Sequence, residues 1–184
     1  QNISVELDEN FFEHLPSVSS CHYTFANTWI GNDQGLPFNF FKKRSNDIYT
    51  DGNIRNITGD FINNSTNNEL GKGGAIYNDS NIGSLKGNFI NNKSGFGGAI
   101  NNSTNAEITN INCNFVSNEA KQGGAIYNYG NIGNISGNFI NNSADNGGAI
   151  ANKNGTISSL SGNFLNNNAN SNGGAIYNDS GIIN

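Results

Sequence analysis

The sequence predicts an all-β fold, a parallel β-helix (solenoid) of about five to six coils with an N-terminal cap, on three observations. The tetrapeptide Gly-Gly-Ala-Ile recurs from Gly73, Gly97, Gly123, Gly147 and Gly173, at intervals that alternate between 24 and 26 residues. A second block, Ile-x-x-Ile/Leu-x-x-x-Phe-x-x-Asn, alternates with it over residues 54–64, 82–92, 108–118, 132–142 and 157–167. Every change of length falls between the blocks, in linkers of three to five or four to eight residues, as a rigid scaffold with tolerant loops requires. A fixed period in this range marks stacked repeats. Short β-prone segments between Asn, Gly and Ser turns fit one coil of a stack rising ~4.8 Å per coil.

Composition agrees. Charged residues are 12% of the 184, about half the usual share, while Gly numbers 24 and Asn about forty. Both types disfavour helix. The formal charge of −5 argues against nucleic acid and anionic lipid as partners, since phosphate recognition needs clustered Lys and Arg and only Lys42-Lys43-Arg44 cluster. No apolar run approaches the ~20 residues of a membrane span, so no membrane insertion of this stretch is expected. A start at Gln1 with no Met reads as a chain processed or cut from something longer. Cys21 and Cys113 match no metal-ligand spacing, and the glycines form no phosphate loop, so neither metal nor cofactor is expected.

Residues 1–44 break the pattern and hold Trp29, His14, His22 and six Phe, which reads as an aromatic-rich cap over the first coil. Residues 45–184 are the repeats. They open on a degenerate copy, because Asp47–Ile54 aligns with Ala75–Ile82 and Thr50 stands where later coils have Asn. In Gly-Gly-Ala-Ile-x-Asn the invariant Ile76 and Asn78 should face inward. The variable column Tyr77, Asn101, Tyr127, Ala151 and Tyr177 should then face solvent. In the second block Leu85, Gly87 and Phe89 share the inward face, and Cys113, in the Gly87 slot, becomes a small buried filler. Two Asn columns, 78/102/128/152/178 and 64/92/118/142/167, read as internal ladders in which stacked amides satisfy one another. Gly181 to Asn184 begin a further coil without a cap, which leaves Ile182 and Ile183 as candidates for self-association.

The alternating Gly-Gly-Ala-Ile and Phe-x-x-Asn motifs resemble the polymorphic outer membrane protein repeat of chlamydial polymorphic membrane proteins and related autotransporter passengers, over about residues 45–184. The resemblance implies a right-handed β-helix, exported, displayed at the bacterial cell surface and adhesive, with host-cell or matrix protein or glycan as partner. Tyr77, Tyr127 and Tyr177, on alternate coils, are the candidate contacts, since Tyr offers large amphipathic area at low entropy cost. A self-assembling filament or extracellular structural subunit is the alternative. A polysaccharide-active enzyme is a third reading, and no catalytic residue is expected, because the repeat carboxylates scatter over turns instead of converging in pairs.

Overall fold

The computed structural model describes residues 53–66 and 69–184 in full, with the strand backbone of 21–25, 28–32, 42–44 and 47–50. Most of the expected N-terminal cap therefore lies outside the described residues. Among those described there is no helix; every regular element is a strand, and the repeats stack as a β-solenoid of about five coils.

Two parallel sheets form the walls. The long sheet takes one strand per coil from the second block: β5 (Ile54–Ile62), β7 (Asn81–Ile90), β9 (Glu107–Val116), β11 (Asn131–Ile140), β14 (Thr156–Leu160) with β15 (Asn163–Leu165), and β18 (Ile182–Ile183). The short sheet takes Ile-x-Asn: β4 (Asp47–Thr50), β6 (Ile76–Asn78), β8 (Ile100–Asn102), β10 (Ile126–Asn128), β13 (Ile150–Lys153) and β17 (Ile176–Asp179). A third side is stitched by single bridges, Ser65 to Lys93 to Glu119 to Ser143, and becomes a true pair only in β12 (Ser143–Asn146) and β16 (Asn168–Asn172). The degenerate coil is real: Ile48, Tyr49 and Thr50 pair in parallel with Ile76, Tyr77 and Asn78. Before it the direction changes. β1 (Cys21–Phe25) and β2 (Thr28–Asn32) form an antiparallel pair with β2 antiparallel to β5, and β3 (Lys42–Arg44) runs antiparallel to β4.

Sequence chemistry sets the corners. The residue before each long-side ladder Asn adopts left-handed φ: Asn63 at 58°, Asn91 at 54°, Ser117 at 56°, Asn141 at 56° and Asn166 at 53°. Short polar side chains tolerate that conformation, so in the Asn-Asn pairs the first residue turns the corner and the second enters the wall. Gly-Gly is required for a different reason. A Cβ on Gly124 would lie 2.1 Å from the Gly148 carbonyl oxygen of the next coil, a backbone atom that cannot yield.

The core is a column of repeated layers. Ile82, Leu85 and Phe89 of β7 are almost fully buried, as are their counterparts in the coils on either side. The rings of Phe61, Phe89, Phe115, Phe139 and Phe164 stack with centroid separations of 4.5, 5.1, 4.8 and 4.7 Å and interplanar angles of 14° or less. Cys113 is 2% exposed, and burial pushes its thiol up to about 12, as a filler in the Gly87 slot should behave.

Both predicted internal ladders are present. On the short side each Asn Nδ2 donates to the Oδ1 of the next coil at 2.8 Å, from Asn78 through Asn102, Asn128 and Asn152 to Asn178. On the long side Asn64, Asn92, Asn118, Asn142 and Asn167 repeat the bond at 2.9–3.0 Å. From Asn92 onward each Oδ1 there also accepts a backbone N–H, and each Nδ2 also donates to a Phe carbonyl one coil back. Amides at Asn92, Asn118 and Asn142 are buried without an unmet bond.

Candidate functional site

The predicted contact column does not lie open to solvent. Tyr77 and Tyr177 are half-buried, but Asn101 is 3%, Tyr127 8% and Ala151 1% exposed. Outward direction on the short sheet is therefore not the same as exposure. Phe96, from the linker before Gly97, meets Tyr127 edge-on with centroids 5.3 Å apart, and the Tyr129 ring lies 6.2 Å from the same ring. In register, small residues flank Tyr127, Asn101 below and Ala151 above, so the larger linker rings close over the strand. Asn101 Nδ2 fixes the Phe96 backbone by donating to its carbonyl at 3.3 Å. Burial, then Tyr129 and Asp179, raises the Tyr127 hydroxyl to about 12.

What this face presents is consequently a half-buried aromatic patch of Tyr77, Phe96, Tyr129 and Tyr177, with Tyr127 as its floor. Lys72 Nζ sits 5.3 Å from the Tyr77 ring centroid, a cation over a π face at one margin. Tyr129 accepts a 3.0 Å bond from Asn154 Nδ2, which fixes the other margin. Phe96 and Tyr129 were missed in the sequence because they lie in linkers, outside the repeating columns. The signal was available: they are aromatic residues where other coils place Lys72, Gln122 or Asp79.

Around the corner, the third side carries an open polar groove of about 650 Å³, lined by Thr66, Glu69, Lys93, Ser94, Glu119 and Lys121 among others. Two exposed ion pairs span it, Lys93–Glu119 and Lys121–Glu69, each at 2.7 Å. The Lys121 ammonium holds the Glu69 carboxyl below its ordinary value. Gly71 joins the first coil to the second here, its carbonyl accepting from both Ser94 Oγ and Phe96 N.

A third amide ladder runs outside the long sheet and was also missed. Asn163, Asn138, Asn114 and Asn88 each donate to the preceding coil, at 2.9, 2.9, 3.0 and 2.7 Å, and the row ends on Asp60. Its signal was the amide or acid before every Phe of the second block.

The described repeat carboxylates each have their own partner. Glu69, Glu119 and Asp179 pair with lysines, while Asp60, Asp79, Glu107 and Asp145 accept from Asn88, Ser103, Thr109 and Asn170. No group of three or more His, Cys, Asp and Glu that could hold a metal occurs among the described residues. Ile182 is 55% exposed, whereas Ile183 packs partly against the core, and both pair with β14.

Each coil thus contributes one Phe to the ring stack and one Asn to each internal ladder, joined through Gly-Gly-Ala-Ile. That is the unit matched by the family model of the Chlamydia polymorphic membrane protein repeat, at residues 59–79, 112–129 and 161–179. Three segments, about a third of the chain, are similar to that repeat. No curated protein and no solved structure matches it. The three matched segments each run from the end of a long strand, through a corner Asn or Ser, to the end of the next short strand. No helix of the described residues is long and apolar enough to cross a membrane.

Proposed function

We propose that the chain is an adhesive segment displayed on a bacterial cell surface, with the aromatic patch of the short sheet as its contact for host-cell or matrix protein or glycan. The recurrence of the polymorphic membrane protein repeat along one stack carries this reading. The surface chemistry supports it: Tyr and Phe supply contact area at small entropy cost, and sparse charge leaves recognition to rings and amides. Individually partnered carboxylates favour binding over hydrolysis, which needs a proton donor and a second carboxylate across one substrate. The test is adhesion of beads coated with the chain to epithelial cells and to matrix and glycan arrays. Phe96→Ser with Tyr129→Ser should reduce binding several-fold with the β circular dichroism signal intact. Adhesion no greater than that of an unrelated β-solenoid of equal length would sink the reading.

A further inference from the structure

Three Asn-Gly dipeptides lie in the described residues, Asn146-Gly147, Asn154-Gly155 and Asn172-Gly173. A glycine after Asn offers its backbone nitrogen little steric shielding. That nitrogen can attack the side-chain carbonyl carbon: an N–Cγ bond forms, the Cγ–Nδ2 bond breaks, and ammonia leaves with the proton from the glycine nitrogen. Water then opens the resulting succinimide to aspartate or isoaspartate. The reaction needs water and no enzyme, oxidant or metal. It does need a glycine N–H that is not already committed.

The structure treats the sites differently. Gly147 N–H donates to the Asn172 carbonyl of the next coil at 2.9 Å, and Asn146 Oδ1 accepts from Asn172 Nδ2 at 2.9 Å, so both reacting groups are held by stacking. Gly173 N–H is the counterpart of Gly147 N–H in the last coil, where a following coil would hold it in the same way. Asn154-Gly155 is unlike both. It occupies the turn between β13 and β14, where no coil-to-coil bond among the described residues uses the Gly155 N–H, and Asn154 is exposed with φ of 56°. Its carboxamide is restrained by one bond among the described residues, Nδ2 to the Tyr129 hydroxyl at 3.0 Å.

We propose that Asn154 is a self-modifying site at which the Gly155 nitrogen displaces the side-chain amide, while stacking protects the same dipeptide at Asn146. The consequence is local. Isoaspartate adds a methylene to the backbone beside Gly155, whose carbonyl accepts from Asn152 Nδ2 at 3.0 Å and from Ile182 N at 2.9 Å. It also adds a negative charge next to the Asp179 backbone that receives Asn154 N–H. Ageing at Asn154 would therefore loosen the terminal coils first.

The experiment incubates the 184-residue chain in warm, mildly alkaline buffer and maps peptides by mass spectrometry, with isoaspartyl-specific methylation as a second readout. In the folded chain Asn154 should convert about tenfold faster than Asn146, the factor expected from one committed hydrogen bond. In concentrated urea the two rates should converge. Tyr129→Phe, which releases the Asn154 amide, should raise the Asn154 rate several-fold and leave Asn146 unchanged. Equal rates in the folded chain would overturn the proposal. So would a difference that persists in urea, because flanking sequence would then set it, or a Tyr129→Phe variant with an unaltered Asn154 rate.

Discussion

Asn128 sits at the centre of the short-side ladder and gives the sharpest test of what holds the coils together. It is fully buried; its Oδ1 accepts from Asn102 Nδ2, and its Nδ2 donates to Asn152 Oδ1, both at 2.8 Å, with further contacts to the carbonyls of Gly130 and Thr156 at 3.1 and 3.4 Å. Asn128→Leu keeps approximate volume and removes all four. Asn102 Nδ2 retains the carbonyls of Asn131 and Ala106, at 3.1 and 3.4 Å. Asn152 Oδ1 loses its ladder donor inside a dry wall. One orphaned buried acceptor costs ~1–3 kcal/mol and the net loss of the remaining bonds ~1 kcal/mol, so the substitution should destabilise by ~2–4 kcal/mol. A double-mutant cycle isolates the ladder itself. Once Asn128 is gone, Asn152→Leu removes an acceptor already orphaned, so the pair should cost less than the sum by ~1–3 kcal/mol. Asn118→Leu with Asn152→Leu, in separate ladders without a shared partner, should add within ~0.5 kcal/mol. Urea midpoints at constant slope measure each term, and amide exchange in the flanking coils shows where the stack opens. A loss below ~1 kcal/mol for Asn128→Leu, or strict additivity along the ladder, would refute this account.

Three further outcomes follow from the same stack. Gly124→Ala forces a Cβ to 2.1 Å from the Gly148 oxygen and should destabilise by more than ~3 kcal/mol, whereas Gly174→Ala, whose nearest neighbour is Asn167 O at 3.9 Å, should be near neutral in urea denaturation. In a Cys21→Ser background, a thiol reagent should label Cys113 only on unfolding, because its thiolate is disfavoured and its side chain enclosed. That raised value also has a pH consequence. The unfolded thiol ionises near 9 and the folded one near 12, so the folded state holds more protons between them and stability falls as pH rises through that window; Cys113→Ala should flatten the slope, and the raised Tyr127 should leave a residual slope above about pH 10.

Most of the wall was legible in the sequence because stacking makes each position its own neighbour. Ile76, Asn78 and Phe89 recur without change across the five full copies, Leu85 alternates only with Ile, and every one of them is inward. The period, the parallel pairing, both buried ladders and the degenerate copy at Thr50 follow from that. The solvent reading of Tyr127 failed because variability was taken as exposure. A variable strand position can be covered by a linker, and the covering rings, Phe96 and Tyr129, occur at slots with no aromatic in other coils. Their partners are set by three-dimensional reach, which no column of the repeat encodes. The outer row of Asp60, Asn88, Asn114, Asn138 and Asn163 was visible as a pattern, but on an outward face it looked like ordinary solubility.

Direction is what the columns conceal, and it explains why that outer row begins with an acid. Both inner ladders donate toward the C-terminal coil, while the outer ladder donates the opposite way and terminates on Asp60. The last group of a donating row needs only to accept, and a carboxylate does nothing else. In mid-row the same group is wrong. Asn138→Asp should lose the 2.9 Å bond to Asn114 Oδ1 and set two acceptors against each other at a half-buried position, for ~1–3 kcal/mol. Protonation restores the donor, so the introduced carboxyl should titrate above its unfolded value of ~3.9. A folded value above the unfolded one means that the folded state binds the proton more tightly. The penalty of Asn138→Asp relative to the parent should therefore be small at acid pH and grow as pH rises through the folded value. A penalty that is the same from acid to neutral pH would show that the outer amides carry no polarity.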